Sequence, residues 1–376
     1  MATIVDRYRE TSRRRRRRAE RSNQRLDVQG LRMVAVLAVF AHHLWDWPRG
    51  GFVGIDVFFV VSGFLLTTGL LAAGTLKDFY VNRARRVLPA AAVVALATYA
   101  ASVLIPTPAL FGDPDSPLAH FWPLAVGAVI VVVWPLLLAA TGYRARWAAV
   151  AAAVLTLAGF VAAFMQSSEF TWVAAFGVGA LVAPAVTQLS DIPPALKTLL
   201  SWSGLLLIGA SLFLIGDGSA GDTATWALLP VAGTALVLAA GVSGEPRFQP
   251  LLRNQVSTYV GDLSYSLYLV HWPVIVVVAA LMDRTPYFSL CVLAFAFGLA
   301  VACHHFVENP LRHGSFEALR TAIKDMERGL FHIERRTKVA AVGALVLLAV
   351  GLCAFAARPD AYEQAPQPAI VSNQGL

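Results

Sequence analysis

Charge is scarce in this chain. Asp, Glu, Lys and Arg together supply 14% of its 376 residues, against about 25% in an ordinary water-soluble domain. With 57% of the residues hydrophobic and a mean hydropathy of +0.63, a soluble globular domain is excluded and an integral membrane protein is described. Cysteine is scarcer still. Cys291, Cys303 and Cys353 are the three present, all inside apolar stretches and without Cys-x-x-Cys spacing, so neither a disulfide framework nor a cysteine zinc site is expected. Acidic residues are also in deficit, 23 against 30 basic ones, and ten of the basic ones precede Leu26. Positive charge bunched at one terminus reads as a cytoplasmic tail held to anionic lipid, with no nucleic-acid partner. The run Arg13–Arg18 is expected to be disordered. No small-residue cleavage site follows the first apolar stretch, which argues against a secretory signal.

What is present is a succession of apolar stretches bounded by charge, Pro or Gly. They fall near 31–47, 52–73, 88–105, 120–141, 147–165, 171–189, 198–216, 225–243, 259–282, 287–307 and 338–357. At roughly 20 residues per crossing of a bilayer core, they predict an all-α polytopic membrane protein of about eleven transmembrane helices, helical because backbone polar groups in hydrocarbon must be paired within the segment. A cytoplasmic N-terminus places Arg83, Arg85, Arg86, Arg144, Arg146, Lys197, Arg253 and Arg312 in cytoplasmic loops and leaves Arg49, Arg284 and Arg358 outside, in accord with the positive-inside rule. The expected organisation is a basic cytoplasmic tail at 1–25, a membrane domain of ten helices at 26–313, a cytoplasmic connection at 314–337, an eleventh helix at 338–357 and an extracytoplasmic tail at 358–376. Within the connection, Glu317–Lys338 reads as an amphipathic surface helix.

The few polar residues inside these stretches carry the functional information. Arg32 and His43 lie eleven positions apart, which on a helix leaves them about 20° apart in azimuth and about 16 Å apart along the axis. They share one face, while His42 points about 80° away. An ionisable group inside a span is costly and marks a functional candidate by default; the alternative is an imidazole that only hydrogen-bonds a neighbouring helix. The pairs His42/His43 and His304/His305 diverge by about 100° and do not chelate as pairs, so no metal is expected. Arg83 and Arg86, three apart in the basic stretch Lys77–Arg86, are either a topology signal or, with Arg32, a grip on phosphates. Tyr265, Tyr268 and His271 recur at i, i+3 on one side of the ninth span, as an interhelical seam or a substrate lining. Glu308, one turn after His304, reads first as a cap or a partner for a basic loop and second as part of such a lining.

Taken in order, five strings resemble the acyltransferase-3 family, membrane proteins that O-acylate cell-envelope sugars and related acceptors. They are Arg25-Leu-Asp27-Val-Gln-Gly30-Leu-Arg32 leading to His43, Gly50 to Leu65, Phe79 to Pro89, Tyr265 to Pro273, and Phe306-Val-Glu308-Asn-Pro310. The resemblance covers about residues 25–313. It implies an acyl-CoA donor bound from the cytoplasm, acetyl-CoA first among them, and an acceptor hydroxyl on a cell-envelope glycan or glycolipid, handled by a multi-pass protein of the inner (plasma) membrane. It also implies His43, Asp56 and Ser62 as catalytic, Arg32, Arg83 and Arg86 as donor-binding, and Tyr265, Tyr268, His271 and Glu308 as substrate-lining. Membrane lipids and other envelope-biosynthesis proteins are the further partners it implies, with no metal.

Two departures from the family pattern stand out. The fourth span reads Trp122-Pro-Leu-Ala-Val-Gly127-Ala-Val-Ile-Val where members commonly read Trp-Ser-Leu-x-x-Glu-Glu-Gln-Phe-Tyr, and the sixth reads Thr171-Trp172-Val-Ala-Ala-Phe-Gly177 without the usual Arg and Glu. A catalytically degenerate scaffold or regulator of envelope biosynthesis therefore stays open beside the enzyme. Many members also carry an SGNH-hydrolase domain beyond the membrane helices, and no Gly-Asp-Ser motif for one occurs here.

Overall fold

A computed structural model describes residues 25–73, 75–105, 110, 116–165, 170–215, 226–242, 244–246, 248–313 and 335–356. The expected disordered tail, the connection at 314–334 and the tail from 357 onward lie outside the described residues. Among the described residues the regular structure is all helical: α1 (Leu26–Trp45), α2 (Gly54–Ala73), α3 (Leu76–Leu104), α4 (Trp122–Ala140), α5 (Ala145–Met165), α6 (Phe170–Val182), α7 (Pro194–Leu214), α8 (Leu228–Ala240), α9 (Gln255–Ala279), α10 (Pro286–Cys303) and α11 (Arg335–Ala356). Nine of these are long and apolar enough to cross a bilayer.

α6 and α8 fall short, with 13 residues each. At 1.5 Å per residue they rise about 20 Å, less than the hydrocarbon thickness of about 30 Å. Of the about eleven spans expected, nine are full-length candidates and two are short apolar helices among the described residues.

A correction concerns the basic stretch. Arg83, Arg85 and Arg86 are not in a loop, because α3 starts at Leu76 and runs 29 residues with Pro89 inside it. Residues 76–88 are mostly good helix formers, and Thr75 donates its hydroxyl to Asp78 at 2.7 Å across the first turn. A membrane helix tolerates the missing proline N–H, since neighbouring groups take up the freed carbonyl.

α1 is the element on which the bundle is assembled. Its first turn is held from outside: Glu245 accepts from the backbone N–H groups of Leu26 and Asp27, satisfying orphan donors with an anion at the positive helix end. Arg25 makes two bonds to Asp27, at 3.0 and 2.5 Å, and one to the Leu238 carbonyl at 3.0 Å. Arg253 pairs with Glu245 at 2.7 Å, closing the clasp from α1 to the end of α8 and the turn Pro250–Arg253.

Two apolar cores then divide the helix. Val28, Leu31 and Ala35 pack with α2 and with α4 to α8, whereas Val36, Val39, Phe40 and Leu44 pack with α3, α9, α10 and α11. α9 is the most enclosed of the spans, with 72% of its apolar window buried, and it lies along α1 in this second core. The stripe from Arg32 to His43 belongs to that side.

Candidate functional site

At the histidine end of α1, three imidazoles from three separate elements meet. His43 Nε2 lies 2.7 Å from His120 Nε2, and His43 Nδ1 lies 3.3 Å from His271 Nε2. His271 is fully buried on α9, and its Nδ1 faces the carbonyls of Tyr268 at 2.7 Å and Leu267 at 3.2 Å. His120 stands in the short 3-10 turn Ala119–Phe121 that leads into α4. Two α9 side chains pin that turn: the Tyr268 hydroxyl donates to the His120 carbonyl at 3.0 Å and the Trp272 indole N–H donates to the Ser116 carbonyl at 2.8 Å. Trp272 also stacks on the His120 ring, with centroids 4.1 Å apart.

One ring nitrogen from each of the three histidines lies within 4.8 Å of the others, close enough for the set to be weighed as a metal centre. The paired histidines of the sequence part company. His42 faces the Pro48 carbonyl at 3.2 Å, and His304 turns to Glu308 at 3.1 Å.

The opposite end of the stripe is basic. Arg32 is buried and donates to Gln29 at 3.0 Å. It interacts electrostatically with Asp262, Glu308, Arg312 and Arg83, while Arg86 feels Arg32, Arg312, Arg83 and Glu308. Four guanidinium groups thus share one basin with two carboxylates. Glu308 is buried, accepts from Ser266 at 3.0 Å and from His304, and sits in the π-helical turn His304–Glu308 that ends α10. Asn309 completes the group, its side-chain N–H donating to His304 Nε2 at 3.0 Å. Such π-turns recur at functional sites because the widened turn re-aims side chains.

Between the two ends the polar groups follow α9 rather than α1. Val36 and Phe40 seal the face of α1 that joins Arg32 to His43, so the polar strip runs through Tyr265, Tyr268 and His271. Tyr265 belongs to the basic end, with its hydroxyl on the Val87 carbonyl at 2.8 Å, and Tyr268 and His271 belong to the histidine end. The i, i+3 spacing puts them on one side of the helix, and their distinct partners divide them.

Asp56 and Ser62 are not among the hydrogen-bond partners of the imidazoles. Asp56 is buried on α2 and receives a long hydrogen bond from Thr171 of α6, at 3.4 Å. Ser62 takes no part in the hydrogen bonds of the imidazole cluster. Its neighbour Gly63 has a packing reason for lacking a side chain. A Cβ there would strike the Phe176 carbonyl, and a Cβ on Gly179 would strike that of Val60, so α2 and α6 touch backbone to backbone.

The two apolar departures meet in space. Phe59 of α2 stacks on Trp172 with centroids 5.8 Å apart, and the Phe59 ring is what a Cβ on Gly127 would touch, at 3.9 Å. Gly127 of the fourth span and Trp172 of the sixth therefore surround one phenylalanine on the first core's side of the molecule. Neither takes part in the imidazole contacts.

His120, Trp272, Arg312 and Asp262 were missed from the sequence. His120 lies in an irregular segment where no periodicity points at it, and its one signal was its place two residues ahead of Trp122 in the family string. Asp262 and Arg312 are joined to Arg32 only by tertiary packing.

Over residues 25–305 the chain matches the family model described as an acyltransferase domain, the acyltransferase-3 model. The chain belongs to the acyltransferase-3 family. A putative peptidoglycan O-acetyltransferase of Bacillus subtilis is 28% identical to this acyltransferase-3 member over 351 residues, covering 77% of this chain and 55% of the relative. The peptidoglycan O-acetyltransferase of Listeria monocytogenes is 25% identical over 357 residues, covering 79% and 57%. A putative O-acetyltransferase of Staphylococcus aureus is 24% identical over 355 residues, covering 78% and 58%. The chain spans little more than half the length of these curated relatives. No solved structure matches it. Family and fold together make it a multi-pass membrane protein.

Proposed function

We propose that this protein transfers an acetyl group from acetyl-CoA, bound at the arginine basin, to a hydroxyl of a cell-wall glycan at the histidine end, within the plasma membrane. The observation that carries the reading is the polarity of α1. Guanidinium groups gather at its first turns and imidazoles at its last, about 16 Å away along the axis. A coenzyme A thioester has the same polarity, with anionic phosphates at one end and a reactive carbonyl at the other. Arg32, Arg83, Arg86 and Arg312 are suited to the phosphates because guanidinium bonds to phosphate are charge-assisted and fork-shaped.

At the far end His43 serves as base or relay. The acceptor oxygen attacks the thioester carbonyl, the imidazole system takes the hydroxyl proton, the C–S bond breaks, and the thiolate receives the proton. Peptidoglycan is the favoured acceptor because two of the named relatives are peptidoglycan O-acetyltransferases by name.

The test is acetyl transfer by the full chain in proteoliposomes, with radiolabelled acetyl-CoA on the arginine side and an N-acetylglucosamine-containing glycan oligomer on the other. His43→Ala should lower transfer by about 10²–10⁴-fold, the usual contribution of general acid–base catalysis, with acetyl-CoA binding retained. Unchanged transfer would overturn the mechanism. A wild-type chain that neither binds nor consumes acetyl-CoA would favour the scaffold reading, for which the apolar Gly127 and Trp172 positions speak.

A further inference from the structure

The three imidazoles can be given tautomers from their partners alone. Carbonyl oxygens accept and never donate, so His271 Nδ1, facing the carbonyls of Tyr268 and Leu267, carries the hydrogen. In a neutral ring its Nε2 is then a lone pair, and the hydrogen on the 3.3 Å bond belongs to His43 Nδ1. That leaves His43 Nε2 as an acceptor, so His120 Nε2 supplies the hydrogen on the 2.7 Å bond. The last lone pair in the chain is His120 Nδ1. This atom is buried and has no hydrogen-bond partner among the described residues. A buried basic nitrogen without a partner costs free energy and calls for an explanation.

The contacts do not match those of a bound metal ion. Two nitrogens bound to one zinc at about 2.0–2.1 Å stand about 3.3 Å apart at the tetrahedral angle, whereas His43 Nε2 and His120 Nε2 approach to 2.7 Å. His43 also spends its two nitrogens on two different neighbours, while a single ion takes only one from each ring. The contacts are those of a hydrogen-bonded chain.

We propose that His120 Nδ1 is the atom that takes the proton of the acceptor hydroxyl, and that His43 and His271 hold it in the tautomer that can. His120 is then a catalytic residue of the transfer, and His271 a positioning residue acting through His43. In this step the acceptor O–H bond breaks with its proton going to His120 Nδ1, and the oxygen forms the new C–O bond to the acyl carbon. The thioester C–S bond breaks with its electron pair on sulfur, and the thiolate takes the proton back from the His120–His43 pair. Trp272 stacked on His120 and Tyr268 bonded to its carbonyl keep the ring in place. The acceptor would be a neutral hydroxyl, and it needs a base because it is a weak nucleophile.

The proposal rests on the acetyl-transfer reading, and the experiment separates the two. The full chain in proteoliposomes is given acetyl-CoA with either the glycan oligomer or hydroxylamine, a nucleophile that attacks thioesters without a base. His120→Ala is expected to lose about 10²–10⁴-fold in transfer to the glycan while keeping transfer to hydroxylamine above the protein-free rate. Free imidazole is expected to restore glycan transfer to His120→Gly. His120→Asn, closer in size, reports on folding through its elution profile and should share the selective loss. Full glycan transfer by His120→Ala would overturn the proposal. Equal loss towards both acceptors would also overturn it, making His120 structural. Stoichiometric zinc in the purified wild type that vanishes in His120→Ala would replace the proton role with a metal site. No transfer by the wild type to either acceptor would instead remove the acetyl-transfer reading itself.

Discussion

His43 is an instructive residue because its role depends on what the two neighbours do with their hydrogens. An imidazole alone in a span is an expensive polar group; with His271 and His120 on either side, each of its nitrogens has a partner. Removing His271 leaves the His43 Nδ1–H without an acceptor, at a cost of about 1–3 kcal/mol. His271→Ala should therefore slow glycan transfer by about tenfold to a hundredfold, while His271→Gln, whose carbonyl can accept the same bond, should retain more of it. Initial rates in the proteoliposome assay decide this. The Tyr265, Tyr268, His271 periodicity was legible as a polar strip, and so was the one-face relation of Arg32 and His43. Their partners were not, because Val87, His120 and Asp262 belong to elements distant in sequence or to irregular backbone.

Among the elements, the α2–α6 contact shows how a motif residue can be required for packing as such. Gly63 and Gly179 let the two backbones meet, each against a carbonyl of the other helix, which is the way membrane helices gain dispersion energy where no hydrophobic drive separates protein from lipid. Gly63→Ala should destabilise the fold by about 1–3 kcal/mol, the range for overpacking, seen as a lower melting temperature in detergent. Transfer per folded molecule should change far less than in His43→Ala. The third helix teaches a different lesson. Hydropathy alone starts it at 88, where the apolar run begins, yet the preceding basic turns are helical too and present Arg83 and Arg86 beside Arg32.

At the scale of the whole molecule, the proposed reaction requires the arginine basin and the imidazoles to open on opposite sides of the membrane. Asp46 follows α1 at the histidine end and Asp191 precedes α7 at the other, and both are exposed. Single cysteines there can be compared in a background with Cys353→Ser, since Cys291 and Cys303 are buried. A membrane-impermeant maleimide should label Asp46→Cys on intact cells and Asp191→Cys only after permeabilisation. The reverse pattern would invert the orientation that the positive-inside rule assigns.

The sequence by itself determined the solvent of this protein, its helical class, most of its spans and the polar residues that could not be facing lipid. Hydrophobicity and helical period are local properties, and they survive without knowledge of neighbours. Tertiary structure decided the rest: which spans are too short to cross alone, that Gly127 and Trp172 close around Phe59, and that a histidine from a loop completes a chain begun on α1 and α9. A hydrogen-bonded cluster is a relation between segments, and what fixes its protons is the set of carbonyls and rings that folding brings to it.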